Sequence, residues 1–194
     1  MKEEVYRLHS SSINSMEVVF INFKDTATNL KLRTVGLRKV LMTGGSESEC
    51  SIIVWDLEHR KALKKLSGHK HQISCIVDLK DFAHVASSSF DSRVAIWDIS
   101  NGFSCKKILD CKNSPILSLN YNYEMGQLLA GYMDGTINVW KAHFPRENQN
   151  RPQDADEKLK IHHIMEMTMS SHILKLELVK ADPYDLLLVL GSDF

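Results

Sequence analysis

Between residues 73 and 109 the chain alternates apolar and polar positions in four short runs, each bounded by turn formers. Ile73 to Asp78, Ala83 to Ser88, Arg93 to Trp97 and Ser104 to Leu109 carry Val, Ile, Ser and aromatic residues in that alternation. Period-two patterning over such lengths predicts half-buried β-strands. Phe90-Asp91-Ser92 makes a tight turn between the second and third runs. Asp98 to Gly102 turns the chain before the fourth, and its Asn101-Gly102 pair is a strong hairpin signal because both residues tolerate positive φ.

The pattern recurs on both sides. Upstream, Ser51 to Trp55 and Ala62 to Leu66 read as strands, preceded by a long connection from Lys24 to Gly36 and an extended turn from Gly44 to Cys50. Downstream, Ile116 to Tyr121, Gln127 to Ala130, Thr136 to Trp140 and Lys160 to Met167 form a third set, with Met133-Asp134-Gly135 as its turn. Ala142 to Glu157 is rich in Pro, Asn, Gln and charge, which predicts an exposed insertion. A fourth set starts with Ile173 to Val179, turns at Asp182-Pro183 and continues from Leu186 to Leu190. Val5 to Leu8 precedes His9 as Ala62 to Leu66 precedes Gly68-His69, so it reads as the outer strand of a sheet before the first. Trp55-Asp56, Trp97-Asp98 and Trp140-Lys141 are spaced 42 and 43 residues apart. That period marks one supersecondary unit per repeat.

Gly68-His69, Asp91 and Trp97-Asp98, with the strands between them, resemble a WD40 repeat. The resemblance implies an all-β fold: a WD40 β-propeller, an incomplete ring of four-stranded antiparallel blades with strands a to d counted outward. On this reading 1–8 is the outer strand of a preceding or closing blade, 9–67 is blade 1 and 68–110 is blade 2. Residues 111–170 are blade 3 with an insertion at 142–158, and 171–194 begin blade 4. About three and a half blades fall short of a closed ring. The expectation is a fragment, a truncated gene product, or half a ring completed by another chain. Such a chain alone is expected to self-associate through open edges, above all at the continuously apolar Leu186 to Leu190.

Composition narrows the function classes. Lys+Arg and Asp+Glu are both 24, so the net charge is zero and no broad attraction to nucleic acid or anionic lipid is expected. Cys50, Cys75, Cys105 and Cys111 form no CxxC pair and read as reduced thiols. The N-terminal residues have no apolar run, and Leu186 to Leu190 is too short to span a bilayer. The expected location is cytoplasmic or nuclear, with no membrane association.

His69, Ser87, Asp91 and Trp97 invite a catalytic-triad reading. The resemblance implies instead a buried structural relay, in which the Asp binds the His, the His a strand-b Ser, and the Ser the indole N–H. Buried indole N–H groups require such a partner. Ser89 has the same side-chain parity as Ser87 and fits the pattern equally. Blade 1 offers His9, Thr43 and Trp55, with Glu47 or Glu49 in place of the Asp. Blade 3 keeps Asp134 and Trp140 but has Lys112 and Ala130, so its relay is expected to be broken.

The resemblance also implies a ligand-facing rim. It falls on Phe90 and Met133 before the turn Asp, on Gln72 and Ser74 in blade 2, on Ser12 and Asn14 in blade 1, and on Pro115 and Leu117 in blade 3. Apolar groups converging beside polar ones make a protein-binding hot spot. Other constellations read blandly. His162-His163 and His172 lack metal-ligand spacing, Gly44-Gly45-Ser46 lacks a phosphate-loop context, and Asp154, Asp156 and Glu157 read as a solvated charge run. Lys61, Lys64, Lys65, Lys106 and Lys107 fall on outer strands, where lysine discourages edge pairing. The sequence thus predicts a non-catalytic protein-interaction scaffold without metal or cofactor, working with protein partners in a multiprotein complex. The alternatives are a subunit of a larger enzyme assembly such as a ubiquitin ligase, or an RNA- or chromatin-binding module.

Overall fold

The computed structural model describes residues 9–23, 36–46, 48–80, 83–100, 102–110, 113–143, 159–179 and 186–192. Every regular element among them is a β-strand. Blade 1 contains β1 (Ile13–Phe23), β2 (Gly36–Gly45), β3 (Ser51–Asp56) and β4 (Lys61–Ser67). Blade 2 contains β5 (Ile73–Asp78), β6 (His84–Ser89), β7 (Arg93–Asp98) and β8 (Ser104–Asp110). Blade 3 contains β9 (Ile116–Asn122), β10 (Gln127–Tyr132), β11 (Thr136–His143) and β12 (Lys160–Thr168). β13 (His172–Val179) and β14 (Leu186–Ser192) form a two-stranded sheet. Each sheet is an antiparallel meander in chain order, and the sheets pack side by side through inner strands β1, β5, β9 and β13 in an open arc. The ring is not closed.

Burial explains the composition of each strand. The third strands are interior, and Ser51–Asp56 is buried at every position. The outer strands β4 and β8 are largely exposed and hold the lysines. Apolar side chains form three clusters lying between neighbouring sheets rather than within one. Val19, Val54 and Ile73 join blades 1 and 2. Ile96, Leu128 and Trp140 join blades 2 and 3, and Leu129, Ile173 and Leu176 join blade 3 to the last sheet. No blade buries its own two faces alone.

Two irregularities repeat. Inner-strand pairing slips between Ile13 and Ser15, Ile73 and Cys75, and Ile173 and Lys175, leaving Asn14, Ser74 and Leu174 as bulge residues. In blade 3 the same slip falls on Leu117. Outer-strand pairing slips beside each Trp, leaving Leu63, Lys106 and Ile164 as extra residues. A bulge adds local twist and re-aims a side chain.

The insertion expected from Ala142 starts later. Ala142 and His143 extend β11 and pair with Ile161 and Lys160. Ala142 is buried and its N–H donates to Gly126 O at 2.9 Å, so the strand is held past the polar composition that follows. Strand b of blade 3 likewise runs on to Tyr132, which is fully buried. The rest of the insertion lies outside the described residues. So do Val5 to Leu8, residues 24–35 of the long connection, Glu47, Asn101, Cys111-Lys112, Asp182-Pro183 and Asp193-Phe194. Leu186, Leu188 and Leu190 are exposed on β14, while Leu187 and Val189 pack inward.

Candidate functional site

In blade 2 the turn after β6 brings Asp91 beneath His69. His69 Nδ1 lies 3.0 Å from Asp91 Oδ2, His69 Nε2 lies 2.8 Å from Ser87 Oγ, and Trp97 Nε1 donates to Ser87 Oγ at 2.8 Å. A carboxylate only accepts, so Nδ1 carries the proton. The neutral ring then accepts the Ser87 hydroxyl proton at Nε2, leaving a Ser87 lone pair for the indole. Asp91 also accepts the N–H groups of Lys70 at 2.8 Å and Arg93 at 3.1 Å. Burial pushes the Asp91 carboxyl up, but the His69 hydrogen bond and the two backbone donors outweigh it and hold it below the ordinary aspartate range. Ser89 serves elsewhere. Its hydroxyl donates to His71 O at 3.0 Å and accepts Asp91 N–H at 3.1 Å, closing the turn.

Blade 1 reaches a similar arrangement by another route. Ser46 O accepts the N–H groups of Glu49 and Cys50, folding the longer turn back on itself. Glu49 Oε2 then meets His9 Nδ1 at 2.9 Å, and His9 Nε2 meets Thr43 Oγ1 at 2.8 Å. Lys65 on β4 reaches Glu49 Oε1 at 2.9 Å. Burial raises the Glu49 carboxyl, and the Lys65, His9 and Ser10 contacts bring it below its usual value. Of the two glutamates allowed by the sequence, Glu47 lies outside the described residues.

Blade 3 has Ala130 at the Ser87 register and builds a different network. His163 on β12 packs edge-on against Trp140 with ring centroids 5.9 Å apart. Its Nε2 lies 3.3 Å from Asn138 Oδ1, and Asn138 Nδ2 donates to the Tyr132 hydroxyl at 3.3 Å. The sequence signal for this cluster is Asn138, a polar residue inside the otherwise apolar strand Thr136 to Trp140.

The residues expected at the rim are neighbours in pairs. Ser46 N–H donates to Ser12 O at 3.0 Å, Phe90 N–H to Gln72 O at 3.1 Å, and Met133 N–H to Pro115 O at 2.9 Å. One backbone bond in each blade thus joins the b–c turn to the start of the inner strand. Asn14 Nδ2 donates to Gln72 Oε1 at 3.2 Å and links blades 1 and 2. Ser74 Oγ lies 2.9 Å from Ser88 Oγ. Asn14, Ser74 and Leu117 are the bulge residues, which is why they leave the alternation of their strands. Met133 is 42% exposed, whereas Phe90, Pro115 and Leu117 are half-buried. Phe90 also lines an open groove with Lys70, His71 and Arg93.

Among the described residues no cluster of His, Cys, Asp or Glu could hold a metal ion. Among these residues Cys50, Cys75 and Cys105 form no disulfide, and burial pushes the Cys75 thiol up. No helix among these residues is long and apolar enough to cross a membrane.

Successive four-stranded antiparallel sheets packed about inner strands, each bulged beside a rim, define a β-propeller. The family model described as "WD domain, G-beta repeat" matches residues 60–98 and 103–141. Each match runs from the outer strand of one blade through the third strand of the next, so the sequence repeat ties neighbouring blades together. Residues 60–98 and 103–141 thus read as WD40 repeats, and the chain resembles the WD40-repeat β-propellers. It is 27% identical over 95 residues to Autophagy-related protein 16 of Arabidopsis thaliana, covering 48% of this chain and 18% of that protein. It is 31% identical over 102 residues to Nuclear distribution protein PAC1 of Saccharomyces cerevisiae, covering 50% of this chain and 19% of that protein. The chain spans less than a fifth of the length of these relatives. Among solved structures, "Structure of U3-55K" aligns with a TM-score of 0.61 at 16% identity, over 88% of this chain and 43% of that one. The computationally designed Ika4 protein aligns with a TM-score of 0.59 at 20% identity, over 98% of this chain and 100% of that one. These two likenesses concern the fold.

Proposed function

We propose that the chain is a non-catalytic protein-interaction scaffold that presents its rim to a protein partner within a multiprotein complex. The observation that carries the reading is the rim itself. In each of three blades a backbone bond fixes the b–c turn to the start of the inner strand, the Asn14–Gln72 bond crosses between blades 1 and 2, and Met133 stands exposed. A rigid surface that exposes an apolar residue loses little entropy on binding. The WD-repeat relatives support the same class. The His69–Ser87 pair supports the non-catalytic part, because Ser87 is fully buried and its hydroxyl is engaged by both His69 and the Trp97 indole, out of reach of a substrate.

The test compares Met133→Glu and Leu117→Ala with the unaltered chain in affinity purification from the native cells. The expected result is loss of a co-purifying protein with the melting temperature retained. Unchanged recovery of every partner by both variants would refute the rim reading.

A further inference from the structure

We propose that the groove at the rim end of blade 2 takes an acidic side chain, Asp or Glu, from the partner polypeptide. The proposal rests on the scaffold reading and names the chemistry of one contact. The groove has a volume of about 430 Å³, and its walls come from the start of the blade (Lys70, His71), the b–c turn (Phe90, Asp91), the start of β7 (Arg93) and the end of β8 (Asp110). Such a volume suits a side chain and its flanking backbone.

Its charges are arranged asymmetrically. The Asp91 carboxylate is sunk, with its side chain only 4% exposed, and its oxygens are held by His69 and two backbone N–H groups. Lys70 contributes its N–H to that carboxylate, and among the described residues its ammonium has no ion-pair partner. Arg93 uses Nε to hold Asp110 Oδ1 at 2.9 Å, which leaves its terminal nitrogens as donors. His71 is exposed on the same wall. Lys70, His71 and Arg93 therefore line the groove while one of its two carboxylates is buried and already engaged. Phe90 supplies an apolar wall for the methylene stem of a glutamate. A carboxylate meeting both an ammonium and a guanidinium makes charge-assisted bonds, which are stronger than neutral ones. Asp110, 75% exposed at the groove's edge, would repel a continuous polyanion but leaves room for a single anionic group. This favours an acidic polypeptide over RNA.

The probes are fluorescein-labelled peptides of Ala, Leu and Gly that differ only at a central Glu, Gln or Lys. Binding is read by fluorescence anisotropy at low ionic strength, with polyuridylate as competitor. The Glu peptide should bind about tenfold more tightly than the Gln peptide, and the Lys peptide more weakly than both. Lys70→Gln, a surface change, should remove the preference for Glu without altering the melting temperature. Polyuridylate should not displace the peptide. Equal binding of Glu and Gln peptides, no binding of any of them, persistence of the preference in Lys70→Gln, or displacement by polyuridylate would each overturn the proposal. The scaffold reading fails separately. If Met133→Glu loses the native partner while the peptides show no charge preference, the rim stands and the groove does not.

Discussion

Ser118 Oγ accepts the backbone N–H of Leu176 at 2.9 Å, across the boundary between blade 3 and the last sheet. Asn120 Nδ2 donates to the carbonyl of the same residue at 3.1 Å. Leu176 lies on β13, an inner strand whose second side has no strand neighbour among the described residues, so both polar groups of its open edge are met by side chains of blade 3. Ser15 repeats the contact two boundaries earlier, accepting the Ile76 N–H at 3.0 Å. Both serines follow the inner-strand bulge, and a buried N–H deprived of its acceptor costs about 1–3 kcal/mol. Ser118→Ala should therefore lower stability by that order and speed hydrogen exchange at Leu176 more than at Ile76. Equal protection of Leu176 in both proteins would show that the hydroxyl does not hold the boundary.

Cys75 occupies the same register in blade 2 and behaves differently. Its thiol donates to Leu119 O at 3.5 Å rather than accepting an N–H. A sulfur atom is a weak acceptor, and a hydroxyl there can accept from the Leu119 amide as Ser15 and Ser118 do at their boundaries. Cys75→Ser should raise stability by about 0.5–1.5 kcal/mol, the net worth of one hydrogen bond. The check is the denaturant midpoint at unchanged slope, with Cys75→Ala as the control that lowers it.

Blade 2 was readable because its alternation and its turn residues agree, so strands Arg93–Asp98 and Ser104–Asp110 fall where the pattern places them. What the sequence left open was settled by register. Ser87 and Ser89 share parity, and only the turn geometry assigns Ser87 to the indole and Ser89 to the turn. The bulges at Asn14, Ser74 and Leu117 have no composition signal, because a bulge is a property of two paired strands. The cross-blade serines were equally hidden, since a lone Ser on a strand does not reveal a neighbour some sixty residues away. Ala142 was misjudged because its polar surroundings outweigh one small apolar residue in any window, although tertiary burial keeps it in the strand.

Gly44 marks a close approach. A β-carbon added there would lie 2.6 Å from Ile73 Cγ2 and 2.7 Å from Ile73 Cβ on the next blade. Gly131 stands in the same relation to Ile173. Gly44→Ala and Gly131→Ala should each cost about 1–3 kcal/mol by overpacking. In the double variant Gly44→Ala, Ile73→Ala the clashing Cγ2 is gone, so the combined loss should fall short of the sum of the two single losses. Additive losses in that double variant would mean the clash is relieved by other movements.

Asp91 gives the fold an acid limit. Its folded-state pKa lies below the unfolded value, so the contribution is complete above the ordinary aspartate range. It is lost as pH falls through the lowered folded-state value. Chemical denaturation at a series of pH values should show stability falling on acidification, with a smaller slope in Asp91→Asn. That variant should already be weaker at neutral pH, because an amide presents one acceptor oxygen to donors that a carboxylate meets with two. Identical acid profiles for the two proteins would remove Asp91 as a contributor.

The relay should prove structural, and its members should act as a unit. Trp97 is 3% exposed and sits in the core between blades 1 and 2, so Trp97→Ala should cost about 3–5 kcal/mol from lost burial and the cavity left behind. Ser87→Ala removes little volume but strands two groups at once, the indole N–H and His69 Nε2. Each buried group left without a partner costs about 1–3 kcal/mol. Trp97→Phe removes the indole donor while retaining an aromatic side chain. In the double variant Ser87→Ala, Trp97→Phe the stranded donor no longer exists, so the combined loss should fall short of the sum of the single losses. Two single variants that simply add would mean that Ser87 and Trp97 contribute independently, and the hydrogen-bonded chain would then be a geometric coincidence of packing.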